Sequence, residues 1–175
     1  IKLQGKGISR TLSSPVLQSP LAGVTDQVFR GLVRRWAPDS LLFTEMVNAS
    51  SFGHDLKKVR EISKEKGPLG VQIFDYRPDA MAEAAKKAEE LGAFLVDINM
   101  GCPVKKIANK GGGSALLKDP NLAAKIVKSV AEAINIPVTV KTRIGWSSDS
   151  PDPIYFSLRL QEAGAQLITL HGRTR

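Results

Sequence analysis

Short, nearly continuous apolar runs alternate along this chain with longer stretches in which apolar residues recur every three or four positions. The runs are Val16–Ser19, Leu41–Thr44, Leu69–Phe74, Phe94–Ile98, Val138–Val140 and Leu167–Leu170. Their length and density predict strands covered on both faces, as in a parallel sheet. The stretches between them predict helices. Thr25 or Asp26 is placed to cap a helix running to about Trp36, with Val28, Phe29, Leu32 and Val33 as its apolar stripe. Pro78-Asp79 opens a second, with Ala80, Met81, Ala84, Ala85, Ala88 and Leu91 on one face and Gly92 ending it. Asp119-Pro120 supplies a cap and an N1 proline ahead of a stripe of Leu122, Ala123, Ile126, Val127, Val130 and Ile134. A further helix spans roughly Pro153 to Glu162 and is closed by Gly164. Ser50 to Lys66 reads as a basic, partly helical connection, and the first dozen residues carry no clear pattern.

The spacing of the runs decides between two architectures. They begin near positions 16, 41, 69, 94, 138 and 167, so the repeat is about 30 residues, and eight repeats make the roughly 240 of a (β/α)8 barrel. A doubly wound sheet would call for a Gly-rich phosphate loop after the first strand. Only Ala22-Gly23-Val24-Thr25 stands there. The expected fold is therefore α/β, a (β/α)8 TIM barrel truncated after about the sixth strand. The first residue is Ile rather than Met, which fits a processed, trimmed or partial chain.

Composition narrows the function. With 42% hydrophobic and 24% charged residues the chain is globular. No apolar run reaches the roughly 20 residues of a membrane span, and no export signal opens the chain. The expected location is cytoplasmic, an organellar copy with a removed transit peptide being the alternative. Cys102 is the one cysteine, and His54 and His171 stand far apart, so neither a disulfide framework nor a metal site is expected. Lys and Arg total 25 against 17 Asp and Glu, a net +8. Lys57, Lys58, Arg60, Lys64 and Lys66 form one cluster and Lys105, Lys106 and Lys110 another. Such clusters bind phosphate backbones without reading sequence, although ordinary solubility explains the charge equally well. Aromatic residues are only 6% and do not interleave with the clusters, which argues against a single-strand stacking platform.

Barrel chemistry sits at the C-terminal ends of the strands. The polar residues there are Ser19 and the Pro20–Gly23 loop, Glu45 and Asn48, Gln72, Asn99 and Cys102, Lys141 and Arg143, and His171, Arg173 and Arg175. Each has a plain structural reading. Gln72 can pair with backbone, Cys102 can be a packed thiol, Lys141 a solvated strand end and His171 a hydrogen-bonded one. The Gly111–Ser114 run suits a phosphate cradle, a lid or a close-packed loop. A thiol with an ordinary pKa is protonated near neutral pH and can donate a proton as well as attack.

Several segments resemble the tRNA-dihydrouridine synthase family, most closely its bacterial branch. They are Ser19-Pro20-Leu21-Ala22-Gly23-Val24-Thr25-Asp26 with Phe29-Arg30, Thr44-Glu45-Met46, Gln72-Ile73-Phe74, and Asp97-Ile98-Asn99-Met100-Gly101-Cys102-Pro103. Lys110-Gly111-Gly112-Gly113-Ser114-Ala115-Leu116-Leu117, Lys141-Thr142-Arg143-Ile144-Gly145-Trp146 and His171-Gly172-Arg173-Thr174-Arg175 follow in the family's order. The resemblance implies an FMN enzyme that uses NADPH to reduce the C5–C6 double bond of particular uridines in tRNA. It implies Cys102 as proton donor to C5, Asn99 as holder of the uracil and Pro20, Leu21, Ala22 and Gly23 as walls of the isoalloxazine ring. It also implies flavin contacts from Gln72, Lys141 and His171, with Arg143 near flavin or substrate. Leu21 stands where the family often has Met, and Asp75 where Gly is frequent. The last barrel units and a helical tRNA-binding domain are absent from these residues. The 175 residues alone are therefore expected to bind FMN poorly, to be inactive and to expose a sheet edge; the whole protein is expected to be a monomer. Two other readings remain: a flavin barrel acting on free pyrimidines, similar to dihydroorotate dehydrogenases, and a non-enzymatic RNA-binding module.

Overall fold

A computed structural model describes residues 1–53, 62–150 and 152–175. His54, Lys57, Lys58 and Arg60, singled out above, lie outside the described residues. The chain opens with an antiparallel hairpin, β1 (Lys2–Gln4) and β2 (Ser9–Thr11). Then come α1 (Gln27–Trp36), β3 (Leu42–Phe43), β4 (Val47–Asn48), β5 (Leu69–Phe74), α2 (Pro78–Glu90), β6 (Leu95–Met100), α3 (Lys105–Ala108), α4 (Pro120–Ala133), β7 (Val138–Gly145), α5 (Pro153–Glu162) and β8 (Leu167–Thr174).

The parallel sheet has the order β3-β5-β6-β7-β8, with β4 also on β5. Leu17 adds a parallel bridge to Leu41 outside β3. Spatial order thus follows chain order with no reversal, so there is no switch point of the doubly wound kind. This is an arc of a (β/α)8 barrel, as the spacing predicts.

Two expectations about strands change. Val16–Ser19 contributes a single bridge, and Leu41–Thr44 shortens to β3, with β4 following separately at Val47–Asn48. Conversely, β7 and β8 run past their apolar cores, because their register continues through Arg143 and His171. The hairpin gives the patternless first dozen residues a role. Leu3 and Leu12 are buried with Leu41, Phe43 and Leu95, forming the plug of the barrel floor. The backbone N–H groups of Gly7 and Ile8 donate to the Asn135 carbonyl just before β7.

The larger core lies between sheet and helices. Val71, Ile73, Val96, Ile98, Val138 and Val140 face Met81, Ala84, Ala88, Ile126, Val127 and Val130. The caps form as expected: Asp26 accepts from Phe29 N–H, and Asp119 from Leu122 N–H. The α1 stripe does not form as expected. Val28 and Leu32 are exposed, while Arg30 is buried. Arg30 Nε pairs with Glu65 at 3.0 Å and its Nη1 donates to the Thr25 carbonyl at 2.8 Å. The buried face of α1 combines this ionic anchor with half of the expected stripe: Phe29 and Val33 are half-buried, and Val33 packs on the core.

Candidate functional site: a polar chain at the strand ends

Residues alternate in direction along a strand. Register pairs Gln72 with Asp97, Asp97 with Thr139, Asn99 with Lys141, Lys141 with Thr169 and Arg143 with His171. The residues that face the barrel interior near the C-terminal ends are therefore almost all polar. Lower down the same face is apolar, with Phe43 and Leu95 on the floor plug.

These polar groups are joined. Asp97 is 2% exposed. Its Oδ1 accepts from Thr139 Oγ1 at 2.6 Å and its Oδ2 from Gln72 Nε2 at 2.6 Å. Gln72 Oε1 accepts from Asn99 Nδ2 at 2.9 Å. Asn99 Oδ1 then accepts from the backbone N–H of Gly101 at 3.1 Å and of Cys102 at 2.9 Å. A continuous chain of hydrogen bonds runs from a buried carboxylate to the backbone of Cys102. Burial is the main reason the Asp97 carboxyl is raised to about 6; hydrogen bonds from Thr139 and Gln72 and the charge of Lys141 act the other way.

Cys102 is a half-buried free thiol. Its loop is held from three sides. Besides Asn99, Arg143 Nε donates to the Gly101 carbonyl at 2.7 Å, and the Ser114 N–H donates to the Cys102 carbonyl at 3.0 Å. Of the glycine run, Gly113 packs directly against Cys102, while Gly111 lies against Tyr76 and Gly112 against Ile107. Arg143 also reaches the Thr174 carbonyl at 2.8 Å, tying β6, β7 and β8 together.

Lys141 is lowered from its ordinary value, chiefly by burial, with Asp97 raising it and Arg143 lowering it further. His171 is lowered by desolvation and by the charges of Arg143, Lys141 and Arg173. Lys141 and Arg143 make a positive rim, with the imidazole of His171 paired in register beside Arg143. The Pro20–Gly23 loop belongs to the same end. Gly23 has φ +77°, which suits glycine, and its N–H donates to Glu45 Oε1. Leu21 is 53% exposed at this turn.

The expected Gln72, Asn99 and Cys102 are thus in direct contact, and Lys141, Arg143 and His171 stand beside them. Asp97 and Thr139 were not singled out as site residues by their pattern. Their signal is a carboxylate and a hydroxyl inside otherwise apolar strands, where unpaired polar groups are costly. Asp75 closes the turn after β5. It accepts from the N–H groups of Tyr76 and Arg77 and from Ser50 Oγ. Burial pushes its carboxyl up, but hydrogen bonds from Ser50, Tyr76 and Arg77 outweigh it and hold it low. Beside the polar chain, between the loops after β5 and β6, lies a groove of about 630 Å³ whose lining includes Asn48, Tyr76, Arg77, Lys106 and Lys110.

Among the described residues, no group of three or more His, Cys, Asp or Glu could hold a metal ion, and no helix is long and apolar enough to cross a membrane.

An arc of a (β/α)8 barrel with its polar residues gathered at the C-terminal strand ends defines the broad class. The chain belongs to the dihydrouridine synthase family, whose model, described as "Dihydrouridine synthase (Dus)", matches residues 17–175. It is 59% identical over 169 residues to the probable tRNA-dihydrouridine synthase 1 of Synechocystis sp., covering 95% of this chain and 48% of that protein. It is 42% identical over 168 residues to tRNA-dihydrouridine synthase B of Pseudomonas aeruginosa, covering 94% of this chain and 50% of that protein. The chain therefore spans about half the length of the curated relatives it matches. Among solved structures, histamine dehydrogenase from Rhizobium sp. 4-9 superposes with a TM-score of 0.66 at 12% identity, covering 97% of this chain and 36% of that one, a likeness of fold alone.

Proposed function

We propose that the protein containing this chain is a tRNA-dihydrouridine synthase that reduces the C5–C6 double bond of particular uridines in tRNA. The observation that carries this reading is the half-buried Cys102, held by Asn99, Arg143 and Ser114 beside the rim of Lys141, Arg143 and His171, in a chain of this family.

The donor set fits FMN. Lys141 and His171 are positive or hydrogen-bonding groups suited to the polar edge of an isoalloxazine, and a half-buried cation there stabilises the reduced, anionic ring. Pro20, Leu21, Ala22 and Gly23 offer an exposed apolar turn for its flank. Gln72 is buried and forms the floor. When bound there and reduced by NADPH, FMN would supply the hydride chemistry at uridine C6.

The chain's own residues do the rest. Cys102, a thiol on a fixed backbone, donates its proton to C5 from the opposite face. Asn99 holds the uracil. Its Oδ1 is committed to two backbone N–H groups and one Nδ2 hydrogen to Gln72, while the second meets Met46 Sδ at 3.8 Å. Thioether sulfur is a weak acceptor, and a pyrimidine carbonyl displaces it. Arg143 presents its guanidinium to the substrate side of the Cys102 loop.

The target base must leave its stack, at a cost of a few kcal/mol that phosphate contacts offset. Arg77, Lys106 and Lys110 along the groove, within a net +8, are suited to those contacts. The chain spans about half the length of its relatives, which leaves room in the whole protein for the remaining barrel units and a helical tRNA-binding domain. Our reading of the whole enzyme is cytoplasmic and monomeric. The test is direct: the whole protein with NADPH and unmodified tRNA should add two hydrogens at a uridine, read by nucleoside mass spectrometry. Absence of dihydrouridine with flavin bound and reduced would refute the reading.

A further inference from the structure

The polar chain beneath Cys102 has a direction, set at its two ends: the Gly101 and Cys102 N–H groups only donate, and an ionised Asp97 only accepts. A side-chain amide is two-faced: turned over, it exchanges donor for acceptor with little change of shape. Gln72 and Asn99 are both of this kind. An ionised carboxylate is one-faced and only accepts. With Asp97 ionised, Gln72 must offer Nε2 to Asp97 and so Oε1 to Asn99. Asn99 must then offer Nδ2 to Gln72, which leaves Oδ1 for the Gly101 and Cys102 N–H groups. Reversing Asn99 sets donor against donor at the Cys102 backbone; reversing Gln72 alone sets its carbonyl against the Asp97 carboxylate and its Nε2 against Asn99 Nδ2.

We propose that Asp97 is a positioning residue, whose carboxylate fixes the orientation of the Gln72 and Asn99 amides and thereby holds the Gly101–Cys102 backbone in place. The geometry stands whatever the protein does; that the held group is a proton donor rests on the function proposed above. The groups facing Asp97 are Gln72 from β5 and Thr139 and Lys141 from β7, with Arg143 beyond Lys141. Thr139 reinforces the same sense, since its hydroxyl donates to Oδ1. Once protonated, Asp97 can turn a donor toward Gln72 Nε2, and a Gln72 that reverses in response sets Nε2 against Asn99 Nδ2, which loosens the hold on the Gly101–Cys102 backbone. Because burial raises this carboxyl to about 6, the change falls within reach of mildly acidic buffers.

Amide hydrogen exchange at Gly101 and Cys102, measured on the whole protein, reads the effect without turnover. In the wild type, protection at these two amides, corrected for intrinsic rate, should fall about tenfold or more between about pH 7.5 and about pH 5.5, the loss of roughly one hydrogen bond. Amides within β5 and β7 should keep theirs. In Asp97→Asn, which preserves shape but can face either way, protection at Gly101 and Cys102 should be low throughout and show no step. Unchanged protection in a folded Asp97→Asn variant, or a uniform loss along β5–β7, would overturn the proposal. Should that variant fail to fold, the wild-type series decides, and a flat profile at Gly101 and Cys102 overturns it. Failure of the functional reading looks different: tRNA reduction would persist in Cys102→Ala while the exchange pattern stayed intact.

Discussion

Gly113 is held at φ +57°, and a Cβ there would lie 2.8 Å from the Cys102 carbonyl oxygen. Both conformation and contact exclude a side chain. Gly113→Ala should cost about 1–3 kcal/mol of stability. It should also displace the Cys102 loop, seen as altered alkylation of the thiol. Arg143 is equally specific. One guanidinium bridges the Gly101 and Thr174 carbonyls, and a lysine ammonium lacks the fork to do so. Arg143→Lys should therefore lower turnover while leaving the charge of the rim unchanged. Normal kcat in that variant would show that charge alone suffices. At this scale the sequence is most legible where polar residues break a turn, as at Asn99 and Cys102. It is least legible where they are hidden in a strand, as Asp97 and Thr139 are, because periodicity marks a face and says nothing of which partner satisfies a buried group.

The elements tell a similar story. Strands β5 and β6 and helices α2 and α4 follow directly from apolar runs, stripes and caps. Where the reading falls short, a tertiary partner decides the matter. The strand around Leu17 shrinks to one bridge, β7 and β8 lengthen through polar residues paired in register, and the β1–β2 hairpin exists by packing on the barrel floor. In α1, the apolar stripe is only half buried, at Phe29 and Val33, because Arg30 and Arg34 take the rest of the inner face by sharing the buried Glu65. Removing one partner of a buried pair strands the other, so Glu65→Ala should destabilise by about 3–5 kcal/mol and Glu65→Gln by less, measured by denaturant unfolding. The turn after β5 carries a pH signature. Asp75 is held below the ordinary carboxylate value, so its contribution is present above about pH 3.9 and lost as pH falls through its lower folded value. Asp75→Asn should flatten the acid limb of the stability curve. An unchanged acid limb would remove the turn from that account.

At the scale of the molecule the sheet is an arc. Its edge strand β8 is largely exposed, and Val28, Leu32 and Trp36 on α1 and Ile154, Tyr155 and Leu158 on α5 present apolar side chains to solvent. An open edge and such patches favour association. The 175 residues prepared alone should self-associate and hold FMN weakly, as light scattering and flavin fluorescence would show. Tight stoichiometric FMN in a monodisperse sample would contradict this. The same scale sets the substrate. Lys106→Glu or Lys110→Glu in the whole protein should weaken tRNA binding and reduce its salt slope by about 1 each, without changing flavin content.

The central claim is that Cys102 protonates a uridine presented within tRNA. The most direct measurement photoreduces the flavin of the whole protein without oxygen and follows its reoxidation on adding unmodified tRNA, free uracil or orotate. Rapid reoxidation by tRNA alone, strongly slowed in Cys102→Ala, is the predicted result. Reoxidation by a free pyrimidine, or by tRNA at an undiminished rate in Cys102→Ala, would contradict it.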